Sequence, residues 1–355
     1  MKLREKIKEH KRLFVVAGPC SVESQEQVEN IAKALSTNGK TSLLRGGIWK
    51  PRTRPDSFEG VGAIGLPWLV DAGRKYKLPV ATEVANIQHV ESALKAGVDV
   101  LWLGARTTAN PFAVQEIADA LKGVSIPVMV KNPINPDLNL WIGALERLQK
   151  AGITDLVAIH RGFSVYNHPK YRNSPNWEIP IAFMEKMSDI PIICDPSHIC
   201  GNRKDLQHVA QKSLDLNFEG VMIETHNHPD KAWSDAQQQI TPEALESLLN
   251  ALVLRETVIK KEELDFIELQ RRKITEIDDQ VFELLKERMR IADEIGNYKR
   301  ENGIVILQAE HWKKTLSKYL SHSEDSGLSE GFIHALLDAI HQESINHQNA
   351  VMNKG

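Results

Sequence analysis

The sequence predicts an α/β domain, a (β/α)8 TIM barrel, followed by an all-α three-helix domain. Three observations carry this prediction. All 16 prolines lie between Pro19 and Pro242, and 16 of the 21 glycines precede Pro242. Residues 260–301 then carry 22 charged residues in 42, against 26% for the whole chain, as in a solvated helix. Ahead of that change, eight short apolar runs alternate with helical patterns, which is the layout of a parallel sheet built from βα units.

The runs lie at residues 13–17, 41–44, 79–82, 98–103, 127–130, 155–159, 191–194 and 220–223. Each is nearly continuous in apolar character, as expected of strands buried on both faces. Helical patterns between them include 25–35, 87–96, 112–121, 140–149 and 204–212. Gly97 and Gly152 follow two of these where a helix C-terminus favours glycine. A doubly wound open sheet is the competing arrangement, but no Gly-x-Gly-x-x-Gly fingerprint follows the first run. The barrel is expected over residues 1–255, a linker over 256–263 and the helical domain over 264–355.

Composition narrows the functional classes. A net charge of −3 over 355 residues lacks the basic excess of a general nucleic-acid binder. No run approaches 18 apolar residues, and residues 1–12 are charged rather than signal-like, so neither a membrane span nor a secretory leader is expected. Three cysteines, Cys20, Cys194 and Cys200, are too few for a disulfide framework. A cytoplasmic location follows as the expectation.

A polar residue follows every run: Cys20, Arg45, Glu83, Arg106, Lys131, His160 with Arg161, Asp195 with His198, and Glu224 with His226. In a barrel these positions converge on the C-terminal rim, where active sites of the fold sit. The basic members Arg45, Lys50, Arg52, Arg106, Lys131 and Arg161 would repel one another unless anions lie between them. Their number points to two phosphorylated groups, or to a phosphate and a carboxylate. Strand eight of a closed barrel neighbours strands seven and one, so Cys20, His198, Glu224 and Asp235 are expected to meet. One soft thiolate, an imidazole and two carboxylates suit a divalent Mn, Fe, Co or Zn ion better than Mg or Ca. By spacing alone, His226 or His228 can replace one of these ligands.

Several ordered motifs resemble 3-deoxy-D-arabino-heptulosonate 7-phosphate (DAHP) synthases of the short type I β subfamily, which are close to KDO8P synthases. They are Ala17-Gly-Pro-Cys20-Ser-Val-Glu-Ser24, Arg45-Gly-Gly-Ile-Trp-Lys50-Pro-Arg-Thr53, Gly104-Ala-Arg-Thr-Thr108, Val130-Lys-Asn-Pro133, His160-Arg-Gly-Phe163 and Cys194-Asp-Pro-Ser-His198. The resemblance covers residues 10–250. It implies a transferase of the shikimate pathway of aromatic amino acid biosynthesis, condensing phosphoenolpyruvate with erythrose 4-phosphate. By the same resemblance Arg106, Lys131 and Arg161 bind phosphoenolpyruvate, with a backbone contact from Ala105 and with Arg45, Lys50 and Glu83 nearby. Arg52 and Thr53 resemble the erythrose 4-phosphate contacts, and Cys20, His198, Glu224 and Asp235 fall on the family's metal positions. Pro51 favours the four-carbon aldehyde over the arabinose 5-phosphate of a KDO8P synthase.

In the tail, an apolar stripe runs Ile274, Ile277, Val281, Leu284, Arg288, Ile291, Ile295, Tyr298, with steps alternating between three and four. Arg288 is a cation on that apolar face. Lys299 lies about 20° from it around a helix, whereas Arg271 lies about 100° away. Two further helices are expected around 309–321 and 330–349, with Ser344 and Gln348 on one face of the last. Residues 264–350 resemble the AroQ-type chorismate mutase, a three-helix chain that pairs as an intertwined homodimer. Arg271, Arg288, Lys299, Ser344 and Gln348 align with that family's site, with Arg271 resembling the residue donated by the partner chain. The implied reaction is the isomerisation of chorismate to prephenate. His311-Trp312 stand where the family usually has Arg-Glu, and Gln308 where an acid is common. A bifunctional enzyme is therefore expected, with an allosteric role for the tail in which prephenate inhibits the barrel, since no ACT-like segment precedes Leu13. The alternative makes the tail mainly a prephenate- or chorismate-sensing dimerisation module.

Overall fold

A computed structural model describes residues 2–9, 13–50, 58–165, 170–255, 261–307, 309–321 and 326–353. The chain divides into two compact units, Met1–Thr257 and Val258–Gly355.

The first unit is a closed barrel of eight parallel strands in chain order: β1 (Phe14–Gly18), β2 (Leu43–Arg45), β3 (Val80–Val84), β4 (Val100–Leu103), β5 (Val128–Lys131), β6 (Leu156–His160), β7 (Ile192–Cys194) and β8 (Gly220–Glu224). β8 closes on β1 with Phe14 opposite Gly220 and Gly18 opposite Glu224. Alternation along each strand splits the apolar side chains between two cores. Phe14, Val16, Val100, Trp102, Met129 and Ile159 fill the barrel interior. Val15, Ala17, Leu101, Leu103, Val128 and Ala158 face the surrounding helices. Both faces are buried, which is why the runs read as continuously apolar.

Several helices were not among the expected patterns. Gly65–Tyr76 follows β2, Glu178–Lys186 follows β6, and Pro242–Ala251 ends the unit. The charged N-terminal stretch also contains a helix, Leu3–Glu9, whose Leu3 and Ile7 belong to the barrel-interior core. The amides of Leu3 and Arg4 donate to the Asp155 carboxylate at 2.6 and 2.8 Å, just ahead of β6. This helix plugs the N-terminal mouth of the barrel and leaves the C-terminal rim open. Gly97 and Gly152 end their helices at φ +83° and +96°, as their positions predicted.

The second unit consists of a 41-residue helix, Lys261–Glu301, then Ala309–Leu320 and Glu330–Met352. The first and last of these pack closely at Gly296, where a Cβ would lie 2.4 Å from Val351 Cγ2 and 2.9 Å from Gln348 Cα. Arg300 Nη1 donates to the Val351 carbonyl at 2.9 Å, and His347 Nδ1 lies 3.0 Å from Asp293 Oδ1. Much of the apolar stripe is uncovered within one chain: Ile274, Ile277 and Leu284 are 56, 58 and 71% exposed. Among the described residues no helix is long and apolar enough to cross a membrane.

Candidate active sites

The polar residues expected at the rim stand at or just beyond the strand ends. Arg45, Lys131, His160 and Glu224 are the last residues of β2, β5, β6 and β8, and Glu83 lies within β3. Trp102 of β4, buried inside the barrel, organises several of them. Its Nε1 donates to Glu83 Oε2 at 3.0 Å, and its ring lies 4.9 Å from the Arg45 guanidinium carbon and 5.9 Å from Lys131 Nζ. The aromatic ring lets two buried cations sit near one another. Arg45 is 1% exposed, and its Nε and Nη1 have no hydrogen-bond partner among the described residues. Two buried, unpaired donors on a charged group are costly unless a ligand accepts from them.

Lys131 donates to Asp195 Oδ2 at 2.8 Å. Asn132 Oδ1 accepts from the Arg161 amide at 2.7 Å, which fixes the turn after β6. Burial pulls the Arg161 guanidinium down to about 10, with Arg172 and Arg106 pushing the same way, so it remains charged at neutral pH. Ala105 and Arg106 open the short helix Ala105–Thr108, with Ala105 buried and Arg106 exposed. Arg52 and Thr53 lie outside the described residues.

Cys20, His198, Glu224 and Asp235 are brought to one side of the rim. Cys20 Sγ lies 3.3 Å from Asp235 Oδ2 and 3.0 Å from Lys50 Nζ. His198 Nε2 lies 3.7 Å from Glu224 Oε1, which is also 3.2 Å from Arg45 Nη2. As placed, no group of three or more His, Cys, Asp or Glu side chains among the described residues is close enough to hold a metal ion. The four residues form two pairs, with Arg45 beside Glu224 and Lys50 beside Cys20. Three features suit this donor set to a cation. Glu224 Oε1 is buried without a hydrogen bond among the described residues. Asp195 caps the helix Pro196–Cys200 and holds His198 Nδ1 at 3.0 Å, which leaves Nε2 turned toward Glu224. Asp235 adopts a left-handed conformation, φ +45°, that aims its carboxylate at Cys20.

Burial pushes the Cys20 thiol up to about 12, and Glu224 adds to the shift. Burial also opposes the Asp195 carboxylate, yet His198 and Lys131 hold it well below the usual range. His226 Nε2 faces Glu23 Oε2 at 3.4 Å, and His228 is exposed.

In the helical unit, Arg288 Nη1 donates to Ser344 Oγ. Lys299, 8% exposed, donates to Gln348 Oε1 at 3.0 Å and to the Ile306 carbonyl at 2.6 Å. These four side chains line a cavity of about 790 Å³ together with apolar residues that include Ile291, Leu336 and Ile340. Trp312 and His341 stack in it with ring centroids 4.2 Å apart. Arg271 is exposed and pairs with Glu268 at 2.7 Å, so within one chain it does not join the other four. Trp102, Asn132, Arg172, Gln238 and Gly296 were not anticipated from sequence. The Gln237-Gln238-Gln239 run after Asp235 was the visible signal for one of them.

A closed parallel barrel with charged residues gathered at its C-terminal rim defines a barrel enzyme. Residues 3–261 match the DAHP synthetase I family, and residues 270–349 match chorismate mutase type II. A phospho-2-dehydro-3-deoxyheptonate aldolase of Thermotoga maritima is 30% identical over 238 residues, covering 67% of this chain and 68% of the relative. A 2-dehydro-3-deoxyphosphooctonate aldolase of an Acidovorax species is 27% identical over 276 residues, covering 70% of this chain and 92% of the relative. The crystal structure of the Thermotoga maritima DAHP synthase superposes with a TM-score of 0.60 at 28% identity, covering 67% of this chain and 68% of that one. The chain belongs to the DAHP synthetase I family. It is an enzyme that joins a DAHP synthase barrel to a chorismate mutase domain.

Proposed function

We propose that the barrel condenses phosphoenolpyruvate with erythrose 4-phosphate to give DAHP and inorganic phosphate, with a divalent cation required. The observation that carries this reading is the buried Arg45, with Nε and Nη1 unpaired among the described residues, sharing the Trp102 ring with Lys131 and lying next to the Cys20–Asp235 and His198–Glu224 pairs. Arg45, Arg106, Lys131 and Arg161 bind the phosphate and carboxylate of phosphoenolpyruvate, with Ala105, Lys50 and Glu83 completing that subsite. Arg52 and Thr53 receive the aldose phosphate. Carbon 3 of phosphoenolpyruvate bonds to the aldehyde carbon, water adds at carbon 2, and the C–O bond to phosphate breaks. The arginines and lysines hold both anions within bonding distance and stabilise charge as it shifts. Cys20, His198, Glu224 and Asp235 would hold the ion, Mn, Fe, Co or Zn, which supplies Lewis-acid polarisation of the aldehyde oxygen.

For the helical domain, the reading is isomerisation of chorismate to prephenate. Arg288, Lys299, Ser344 and Gln348 hold the carboxylates and the breaking ether oxygen, with Arg271 donated by the second chain of a homodimer. Prephenate, formed in this domain, inhibits the barrel. The test uses the purified full chain, following phosphoenolpyruvate and chorismate consumption with each aldose phosphate, each ion and added prephenate. Preference for erythrose 4-phosphate, dependence on the ion and slowing by prephenate are expected. Preference for arabinose 5-phosphate would instead favour the reaction named for the Acidovorax relative. Unchanged condensation under saturating prephenate would refute the inhibition.

A further inference from the structure

Glu224 and Asp235 are tied together behind the rim. Gln238 Nε2 donates to Glu224 Oε2 at 2.7 Å, and Gln238 Oε1 accepts from Arg172 Nη1 at 2.8 Å. The same Arg172 Nη1 reaches Asp235 Oδ1 at 3.0 Å. Each carboxylate therefore has one oxygen occupied and the other turned to the site: Glu224 Oε1 toward His198 Nε2, and Asp235 Oδ2 toward Cys20 Sγ. Gln238 is 1% exposed, and its two ends are not interchangeable. Its carbonyl meets a cation and its amide a carboxylate, so a flipped side chain would lose both bonds.

The seat of Arg172 connects this arrangement to His198. The Arg172 amide donates to the Cys200 carbonyl at 3.4 Å, and the Asn173 amide to Ile199 at 3.1 Å. Asn173 Nδ2 donates to the His198 carbonyl at 2.6 Å. Gly201, at φ +66°, makes room for this crossing, since a Cβ there would lie 2.5 Å from Arg172 Cβ. One short segment thus braces the helix that carries His198 and, through its arginine, both carboxylates. Arg172 also sets a positive charge against Asp235, which would otherwise meet the other ionised groups of the site with unrelieved repulsion.

We propose that Arg172 and Gln238 are positioning residues that orient Glu224 and Asp235 for a divalent cation, an inference that rests on the ion reading above. Groups behind the ligands of a metal ion set their direction, and losing one typically weakens ion binding about 10–100-fold. The test is Mn²⁺ calorimetry and Co²⁺ titration of the ion-stripped full chain, reading the thiolate-to-metal charge-transfer band. Thermal unfolding of the ion-free protein is measured alongside. Arg172→Ala and Gln238→Ala are expected to bind about 10–100-fold more weakly while the ion-free protein still unfolds cooperatively. Arg172→Lys, which keeps the charge but not the forked geometry, should recover part of the loss. Because Arg172 acts partly through Gln238, the double variant should lose less than the sum of the single losses. Affinities within twofold of the wild type in both alanine variants would overturn the proposal while leaving the ion reading intact. Weakened binding matched by a collapsed ion-free fold, without recovery in Arg172→Lys, would also overturn it. A wild-type chain that binds neither ion overturns both readings.

Discussion

Arg288 lies among the apolar positions of its helix, and the structure gives it a partner in Ser344 on the last helix. Arg288→Ala should lower kcat/KM for chorismate about 10²–10³-fold, the scale of losing one donor to a developing oxyanion, while leaving ion binding by the barrel unchanged. Normal turnover by that variant in a chorismate absorbance assay would place the site elsewhere. His160 is a second informative residue. It is fully buried and packed against Trp177 and Phe163. Burial lowers its pKa to about 3, and the Arg161 charge adds to this. The unfolded chain therefore takes up this proton first, and the folded state loses stability as pH falls from about 6.5 toward 3. Between pH 6.5 and 4.5 that loss is about 2–3 kcal/mol. Unfolding free energies from urea titrations at the two pH values should differ by that much less in His160→Phe than in the wild type. An identical pH slope in the variant would contradict it.

At the scale of elements, the helix Leu3–Glu9 leaves little trace in the sequence. Its seven residues are mostly charged, and Leu3 and Ile7, one turn apart, are the two among its described side chains that are buried in the barrel interior. Two apolar residues in a charged stretch carry no periodicity that stands out from noise. Leu3→Ala should cost about 2–4 kcal/mol in a denaturant titration of the barrel. A loss below 1 kcal/mol would show that the plug does not support the core. Gly65–Tyr76 begins with a glycine and has Pro67 in its first turn, where proline is tolerated although both residues mask the start of a helix in sequence. The strands were legible because burial on both faces leaves an unbroken apolar run. The same property hid Trp102, which looks like any other apolar residue of β4 although it supports two cations. Individual rim residues could be read because polar groups after apolar runs are conspicuous. The hydrogen bonds that orient them, from Asn132, Arg172 and Gln238, depend on chain segments far apart in sequence.

At the scale of the molecule, the apolar stripe on the 41-residue helix is not covered by the other two helices of its own unit. Ile274, Ile277, Val281 and Leu284 are each about half or more exposed. A second copy of the helix would cover them and bring its Arg271 to the cavity. Ile277→Glu should therefore convert a dimer to a monomer in sedimentation velocity and lower mutase activity with it. A monomeric wild-type chain would contradict this arrangement. The last proline, Pro242, opens the final helix of the barrel unit, and the proline-free stretch after it leads into the separate helical unit. The modest net charge of −3 conceals both cationic sites, since balance over the chain says nothing about where the charges gather.

The most direct test of the central claim is phosphate release from phosphoenolpyruvate and erythrose 4-phosphate by the full chain, stripped of metal and then resupplied with Mn²⁺. The account predicts release of one phosphate per DAHP only with the ion present, none by Cys20→Ala with or without it, and unchanged chorismate turnover by that variant. Full activity of the ion-free enzyme, or of Cys20→Ala, would contradict it.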